Sequence, residues 1–425
     1  MLAWQLLFLI SLAVLPVQLG KFFFIKESYV LGLPIDYLAI AVYFSELVIV
    51  ALIISYLWAI KKSWKKVFAQ HKLYIVTAST FVLYLFTLTS LTNPISPTGI
   101  YFDIKIAALF IYSLVAADFF SNPNLYAKAK KVINFSLVWV SILIIAEFAA
   151  QRSLNLWFLG ERSFDTATSS IAHFNLFGQQ LLRSYGTFPH PNIAGAFLVI
   201  YLILSFNLKR GRSLLFGASL RKDRPLHALS FIALLLTFSK AALFALLLYI
   251  LLTNTNQKVR LAVISVFVLA AFFLVSAQQL IPIDSIAERL SLSQAALDIS
   301  LKNPLAGVGP TNFIPELAKL NLYSISQTRL LQPVHNIFLI FLVETGVVGL
   351  LLFTAVLFAV ASRANSKAKQ ALLVVLLCFA SIDHFFITIH QGQLLFWLAL
   401  GYILAIPSQK GRSLPKGAPL GKDRP

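Results

Sequence analysis

The sequence predicts an all-α polytopic membrane protein with about twelve transmembrane segments, two of them short, and a long external loop carrying an amphipathic helix. Three observations predict it. Hydrophobic residues make up 59% of the 425 and charged residues only 12%, where a soluble chain carries about a quarter. Apolar runs long enough to cross a bilayer recur along the whole length. The net charge of +19 is dispersed over short basic clusters between those runs. It lies on no single face, which excludes nucleic acid as a partner and fits cytoplasmic loops flanking membrane spans.

Residues 1–150 read as an N-terminal bundle of about five spans, at 2–20, 37–60, 73–91, 102–120 and 132–150. Residues 2–19 lack a basic leader and an A-x-A site, so they are expected to be a retained span. An external loop, 151–190, follows. Central spans occupy 191–280 and include a short broken pair over 228–253, ALSFIALLLTFSKAALFALLLYILLT. A single span there would bury Lys240 at mid-membrane, at a cost of a few kcal/mol. Two short arms meeting at Ser239-Lys240 avoid that cost, and short arms imply a polar cavity beside them. A large external loop covers 281–335, C-terminal spans 336–406, and a basic tail 407–425. With alternating spans, most of the 35 Lys and Arg fall on one side, the cytoplasm, along with both termini. The segment GRSLLFGASLRKDRP (211–225) recurs at 411–425 as GRSLPKGAPLGKDRP and reads as solvated loop and tail. The lone Cys378 excludes an internal disulfide.

The two long loops should carry the chemistry. The first ends in RSYGTFPHPNIAGAF (183–197). Pro189 and Pro191 hold a polar lip against an apolar helix, with Asn192 expected to cap it and His190 more structural than catalytic. The second opens with Ser285 and Glu288 as a capping box. Ile286, Leu290, Leu297 and Leu301 then recur as the apolar stripe of a helix on the outer membrane surface, with Arg289 beside it. In NPLAGVGPTNF (303–313), Gly307 and Gly309 allow either a structural turn or a backbone path facing an anion. In QPVHNIFLIFLVETGVVGLLLF (332–353), His335-Asn336 stands where loop becomes span. Asn336 suits an N-cap, and Glu344 deeper in the apolar run must find a partner or a cavity. Gly346 and Gly349 read as helix-packing residues. Arg183, Lys240, Arg289 and His335 come from four separate stretches. Converged, they would form a cationic pocket suited to a diphosphate. The chain has no H-E-x-x-H, paired cysteines, P-loop or D-x-D, so neither metal nor cofactor is expected.

Four stretches together carry a resemblance: RSYGTFPHPNIAG (183–195), TFSKAAL (237–243), Arg289 with NPLAGVGPTNF, and HNIFLIFLVETGVVG (335–349). In this order and spacing the chain resembles the O-antigen ligase and O-antigen polymerase family of multi-pass glycosyltransferases. The resemblance implies action at the outer face of the cytoplasmic (inner) membrane. A glycan would pass from undecaprenyl diphosphate to a hydroxyl of a glycolipid, glycan or protein acceptor, without metal and with inversion. It implies diphosphate binding by Arg183 and Arg289, and His335 as catalytic base. The family usually has Ser-Arg where this chain has Ser239-Lys240, keeping the charge without the bidentate fork. His190, Asn192, Asn336 and Glu344 would support the site. A polysaccharide polymerase or a protein O-oligosaccharyltransferase would share the donor chemistry. A transporter of a lipid-linked or anionic solute is the alternative of another class. It would require paired ionisable residues deep in several spans and symmetry between halves, neither of which the sequence shows.

Overall fold

A computed structural model describes residues 1–91, 96–169, 171–176, 178–206, 224–254, 256–257, 260–261, 265, 283–320 and 331–406. Nearly all of the two basic repeats (211–225 and 411–425), and most of the last stretch of the expected central spans before 280, lie outside the described residues. The helices are α1 Ala3–Val14, α2 Phe44–Ile60, α3 Trp64–Leu91, α4 Pro97–Ser121, α5 Pro123–Ala150, α6 Pro191–Ser205, α7 Arg224–Leu236 and α8 Lys240–Thr253. They continue as α9 Ile283–Lys302, α10 Phe313–Ala318, α11 Ile337–Ala361, α12 Lys367–Ile382, α13 Phe385–Thr388 and α14 His390–Leu404. Among the described residues, α3, α4, α5 and α11 are long and apolar enough to cross a membrane, while α1, α2, α6, α7 and α8 are shorter apolar helices. The chain is therefore a mostly helical membrane protein, and the expected count of twelve spans is not established.

Start signals are plain where they matter. Asn122 accepts the N–H groups of Asn124 and Leu125 ahead of Pro123, and Ser96 accepts that of Gly99 ahead of Pro97, so each missing proline donor falls where no helical bond is lost. Leu47, Val50, Ile54, Leu57 and Trp58 on α2 and Leu83 on α3 are all exposed. Such a belt of large apolar side chains suits contact with lipid rather than water. Inside the bundle, α14 packs on α4, α11 on α3, α12 on α8 and α5 on α7. α6 and α14 are enclosed along almost their whole length.

The expectation of an all-α chain needs one correction. Among the described residues, three small antiparallel strand pairs decorate the loops: β1 (Gly20–Phe23) with β4 (Ile40–Tyr43), β2 (Tyr29–Val30) with β3 (Leu33–Pro34), and β5 (His173–Leu176) with β6 (Gln179–Leu182). A second, smaller core ties the N-terminal hairpins to the other loops. Val30, Ile35 and Leu38 pack with Leu292, Ile299, Phe313, Leu317, Val334 and Val343.

α9 carries two apolar faces. Leu292, Ala295, Ala296 and Ile299 are buried, whereas the anticipated stripe of Ile286, Leu290, Leu297 and Leu301 is exposed. The stripe is thus free to lie on a membrane surface. The expected capping box of Ser285 and Glu288 rests on a side chain outside the described residues.

Candidate functional site

A cavity of about 550 Å³ opens where the two long loops meet the helix ends. Its wall includes Tyr37, Arg162, His190, Asn192, Arg289, His335, Asp383 and His384. These residues come from an N-terminal hairpin loop, the 151–190 loop, the start of α6, α9, the start of α11 and the break between α12 and α13.

His335 stands just before α11. Asn336 caps that helix by accepting the N–H groups of Phe338 and Leu339, and its own amide donates to the carbonyl of Ser381. One residue thus fixes both the helix start and its distance from the end of α12. The stretch expected to carry the C-terminal spans, 336–406, is interrupted here. α12 stops at Ile382, and Asp383-His384 occupy the break before the short α13. Arg289 closes the same corner, its Nη1 donating to the carbonyl of Ile382 at 2.8 Å.

Asp383 is the hub. Its Oδ1 lies 3.6 Å from His335 Nδ1 and accepts the His384 backbone N–H, while Oδ2 accepts from the Asn192 amide at 3.2 Å. Burial opposes its ionisation, but the close approach of His335, with the neighbouring His384 and His190, holds its carboxyl below the usual range. The rings of His335 and His384 lie 4.9 Å apart, and Tyr37 stands edge-on to His384 at 5.4 Å. His384 Nδ1 is 2.6 Å from Thr388 Oγ1. Sequence reasoning missed Asp383, His384, Tyr37 and Arg162 as site residues. The polar pair in SIDHFF, interrupting an apolar run, was the signal available.

Asn192 does not cap α6, as had been expected. His190 does, its Nδ1 accepting the Asn192 N–H at 3.1 Å ahead of Pro191. The Asn192 side chain is thereby free to bridge, accepting from Arg183 Nη2 at 2.9 Å and donating to Asp383. Arg183 also differs from expectation. It is absent from the cavity wall, because its Nε donates to the carbonyl of Thr237 and its Nη2 to Asn192. Burial draws its pKa down to about 10, so it remains a fixed positive charge behind the wall. Its turn is held by Glu147, whose Oε2 accepts the N–H groups of Tyr185 and Gly186. Lys240, at the start of α8 beyond the N-cap Ser239, is exposed and within electrostatic reach of Arg183, yet it too is absent from the cavity wall. Arg162 takes a place on the wall instead. Its Nη2 donates to the carbonyl of Pro189, and its guanidinium lies 5.8 Å from the centre of the Tyr185 ring.

Glu344 is not brought to His335. It lines a smaller cavity of about 100 Å³ and accepts the Phe313 N–H. The G-x-G segment is structural: the N–H groups of Gly307, Val308 and Gly309 donate to the carbonyls of Asn303, Val343 and Glu344. None of the three is left to face an anion.

Burial lowers the pKa of His190 to about 3 and that of His384 to about 4, from an ordinary 6.5. Both are neutral near pH 7, and this has a consequence for stability. Below 6.5 the unfolded chain takes up protons that the folded chain refuses, so stability present above 6.5 is lost as pH falls towards 4 and 3. In detergent, the thermal unfolding midpoint should drop between pH 6.5 and 4. The drop should be shallower in a His190→Asn/His384→Gln double variant. An equal slope in both proteins would contradict this.

Fold and site together define a polytopic helical membrane protein with an open cavity bearing arginines beside a His–Asp pair. Residues 226–354 match the family model described as O-Antigen ligase, which supports the O-antigen ligase family. That stretch holds Lys240, Arg289, His335, Asn336 and Glu344. Arg183, His190, Asn192 and Asp383 lie on either side of it. No curated protein matches the chain.

Proposed function

We propose that this protein is a glycosyltransferase that passes a glycan from a polyprenyl diphosphate, undecaprenyl diphosphate in the family reading, to an acceptor hydroxyl. The reaction would occur at the outer face of the inner membrane. The observation that carries the proposal is the 550 Å³ cavity in which Arg289 and Arg162 share a wall with the His335–Asp383 pair.

The chemistry follows from the groups. A sugar diphosphate loses its glycan readily once fixed cations meet the charge gathering on the leaving oxygen. Arg289 and Arg162 are each tied to a backbone carbonyl, which sets their position before substrate arrives. Arg183, held behind Asn192, adds a third charge that water cannot easily screen. With Nδ1 turned to Asp383, His335 has Nε2 left to take the acceptor proton. The acceptor oxygen then bonds to the anomeric carbon as the bond to the phosphate oxygen breaks. The electron pair leaves with the lipid diphosphate, and a single displacement inverts the centre. Ligase, polymerase and protein-glycosylating variants would all use this donor half.

A second reading rests on one observation. Ligand atoms of His335, Asp383 and His384 lie within 4.8 Å of one another, near enough to hold a cation together. The test serves both readings. Purified protein is given a lipid-diphosphate-linked glycan and a mixed pool of glycolipid, glycan and peptide acceptors, with and without a chelator. Release of lipid diphosphate unchanged by chelator is the expected result. Release lost on chelation and restored by a divalent ion would favour a metal centre. Donor binding without any release would favour a transporter.

A further inference from the structure

We infer that the smaller cavity is a subsite for a single sugar ring, adjoining the diphosphate cavity; this rests on the transferase reading above. The two cavities share Phe22, Asp36, Tyr37, Tyr43 and Thr388 in their walls, so they stand side by side, and a substrate that spans both would place its diphosphate in one and a sugar in the other. The smaller holds about 100 Å³, several times the space that one water needs.

Its chemistry is wrong for phosphate. Lys105, the one lysine or arginine on its wall among the described residues, is matched by Glu46 at 2.7 Å, with both side chains mostly buried, and Asp36 and Glu344 also line the wall. An anion entering would meet more negative than positive charge. A hydroxyl-rich neutral ring suits it instead. Tyr43, Tyr101 and Phe22 offer flat apolar faces, while Thr98, Thr311 and Gln393 offer donors and acceptors, the usual mixture of a small-molecule pocket.

The walls are rigid, as recognition of hydroxyl positions requires. His390 stacks on Tyr43 at 4.4 Å, with its Nε2 2.7 Å from Ser45 Oγ and its Nδ1 3.5 Å from Glu46. Tyr101 donates to the carbonyl of Ala41, and Lys105 Nζ lies 3.2 Å from the Tyr101 hydroxyl. One buried group points to a ligand. Gln393 is 3% exposed; its amide N–H donates to the carbonyl of Ile387, yet its Oε1 has no hydrogen-bond partner among the described residues. A buried carbonyl oxygen left so costs free energy unless something donates to it. A sugar hydroxyl is such a donor.

The test uses the full-length protein in detergent and a panel of methyl glycosides in gluco, galacto, manno, rhamno and N-acetylglucosamine forms, followed by saturation-transfer NMR. At least one glycoside should bind the wild type and the His335→Ala variant alike. Thr98→Val, close in shape, and Gln393→Leu should each weaken that binding by about tenfold, the loss of one buried hydrogen bond. No binding to the wild type, or undiminished binding to both folded variants, overturns the proposal. Wild type that binds a glycoside but transfers nothing would instead sink the transferase reading and leave the subsite standing. In turnover, the same variants should raise KM about tenfold for only one substrate, and that substrate identifies the ring as the donor's or the acceptor's.

Discussion

His335→Ala should cut release of lipid diphosphate by about 10²–10⁴-fold while leaving donor binding nearly unchanged, the signature of a lost general base. The expectation rests on placement. His335 lines the cavity with the two arginines, and its Nδ1 faces a carboxylate that cannot easily change partners. Asp383 is already engaged by the His384 N–H and the Asn192 amide, so its position does not depend on His335. Asp383→Asn therefore offers a graded comparison. It keeps the shape, removes the charge that favours imidazolium, and should lower the rate by less than the loss of the ring itself. Donor affinity and release must be read separately, by equilibrium binding of the lipid-linked glycan and by single turnover. If His335→Ala releases as fast as wild type, the base assignment is wrong. If it fails to bind donor, His335 is a phosphate ligand instead.

How far this site was legible in the sequence depends on what each residue does. Groups that act at helix ends were visible, because proline, asparagine and histidine at the edge of an apolar run have few other reasons to be there. His335, Asn336, His190 and Arg289 were found in that way, and the break at Ser239-Lys240 was found from the cost of burying a lysine. Partnerships were not visible. The sequence shows Arg183 as a cation but not that the Thr237 carbonyl and Asn192 occupy it. Asn192 was given the cap that His190 makes, because both precede the same apolar stretch and only backbone geometry separates them. Asp383 was obscured differently. It stands in a run apolar enough to read as one span, and nothing local announces that α12 ends one residue before it. The hairpins escaped for a similar reason, since strands of two to four residues carry too few positions to show an alternating pattern.

The G-x-G segment and Gly346 show the same limit, and they carry the last large effect. Gly346 was expected to serve helix packing. It instead breaks α11, at φ 66° and ψ −173°, a conformation essentially closed to residues with a side chain. The break frees backbone groups that the 303–309 loop takes up. Val308 and Gly309 donate to the carbonyls of Val343 and Glu344, and Val347 donates to that of Pro304. The two backbones pass so close that a Cβ on Gly346 would stand 2.2 Å from the Leu305 carbonyl oxygen, and one on Gly307 would stand 2.5 Å from the Glu344 carbonyl carbon. Neither neighbour is a side chain that can swing aside. Gly346→Ala should therefore lose about 3–5 kcal/mol, combining strained φ with a backbone clash. Val347→Ala, at an exposed neighbour, should cost far less. Thermal unfolding in detergent would measure both. The loss should also reach the chemistry, because this loop is the direct link between α9, which carries Arg289, and α11, which follows His335. A Gly346→Ala protein that still folds should thus bind donor more weakly as well as unfold earlier. If it unfolds at the wild-type temperature, α11 can close its own break and the loop does not hold the two halves of the site together.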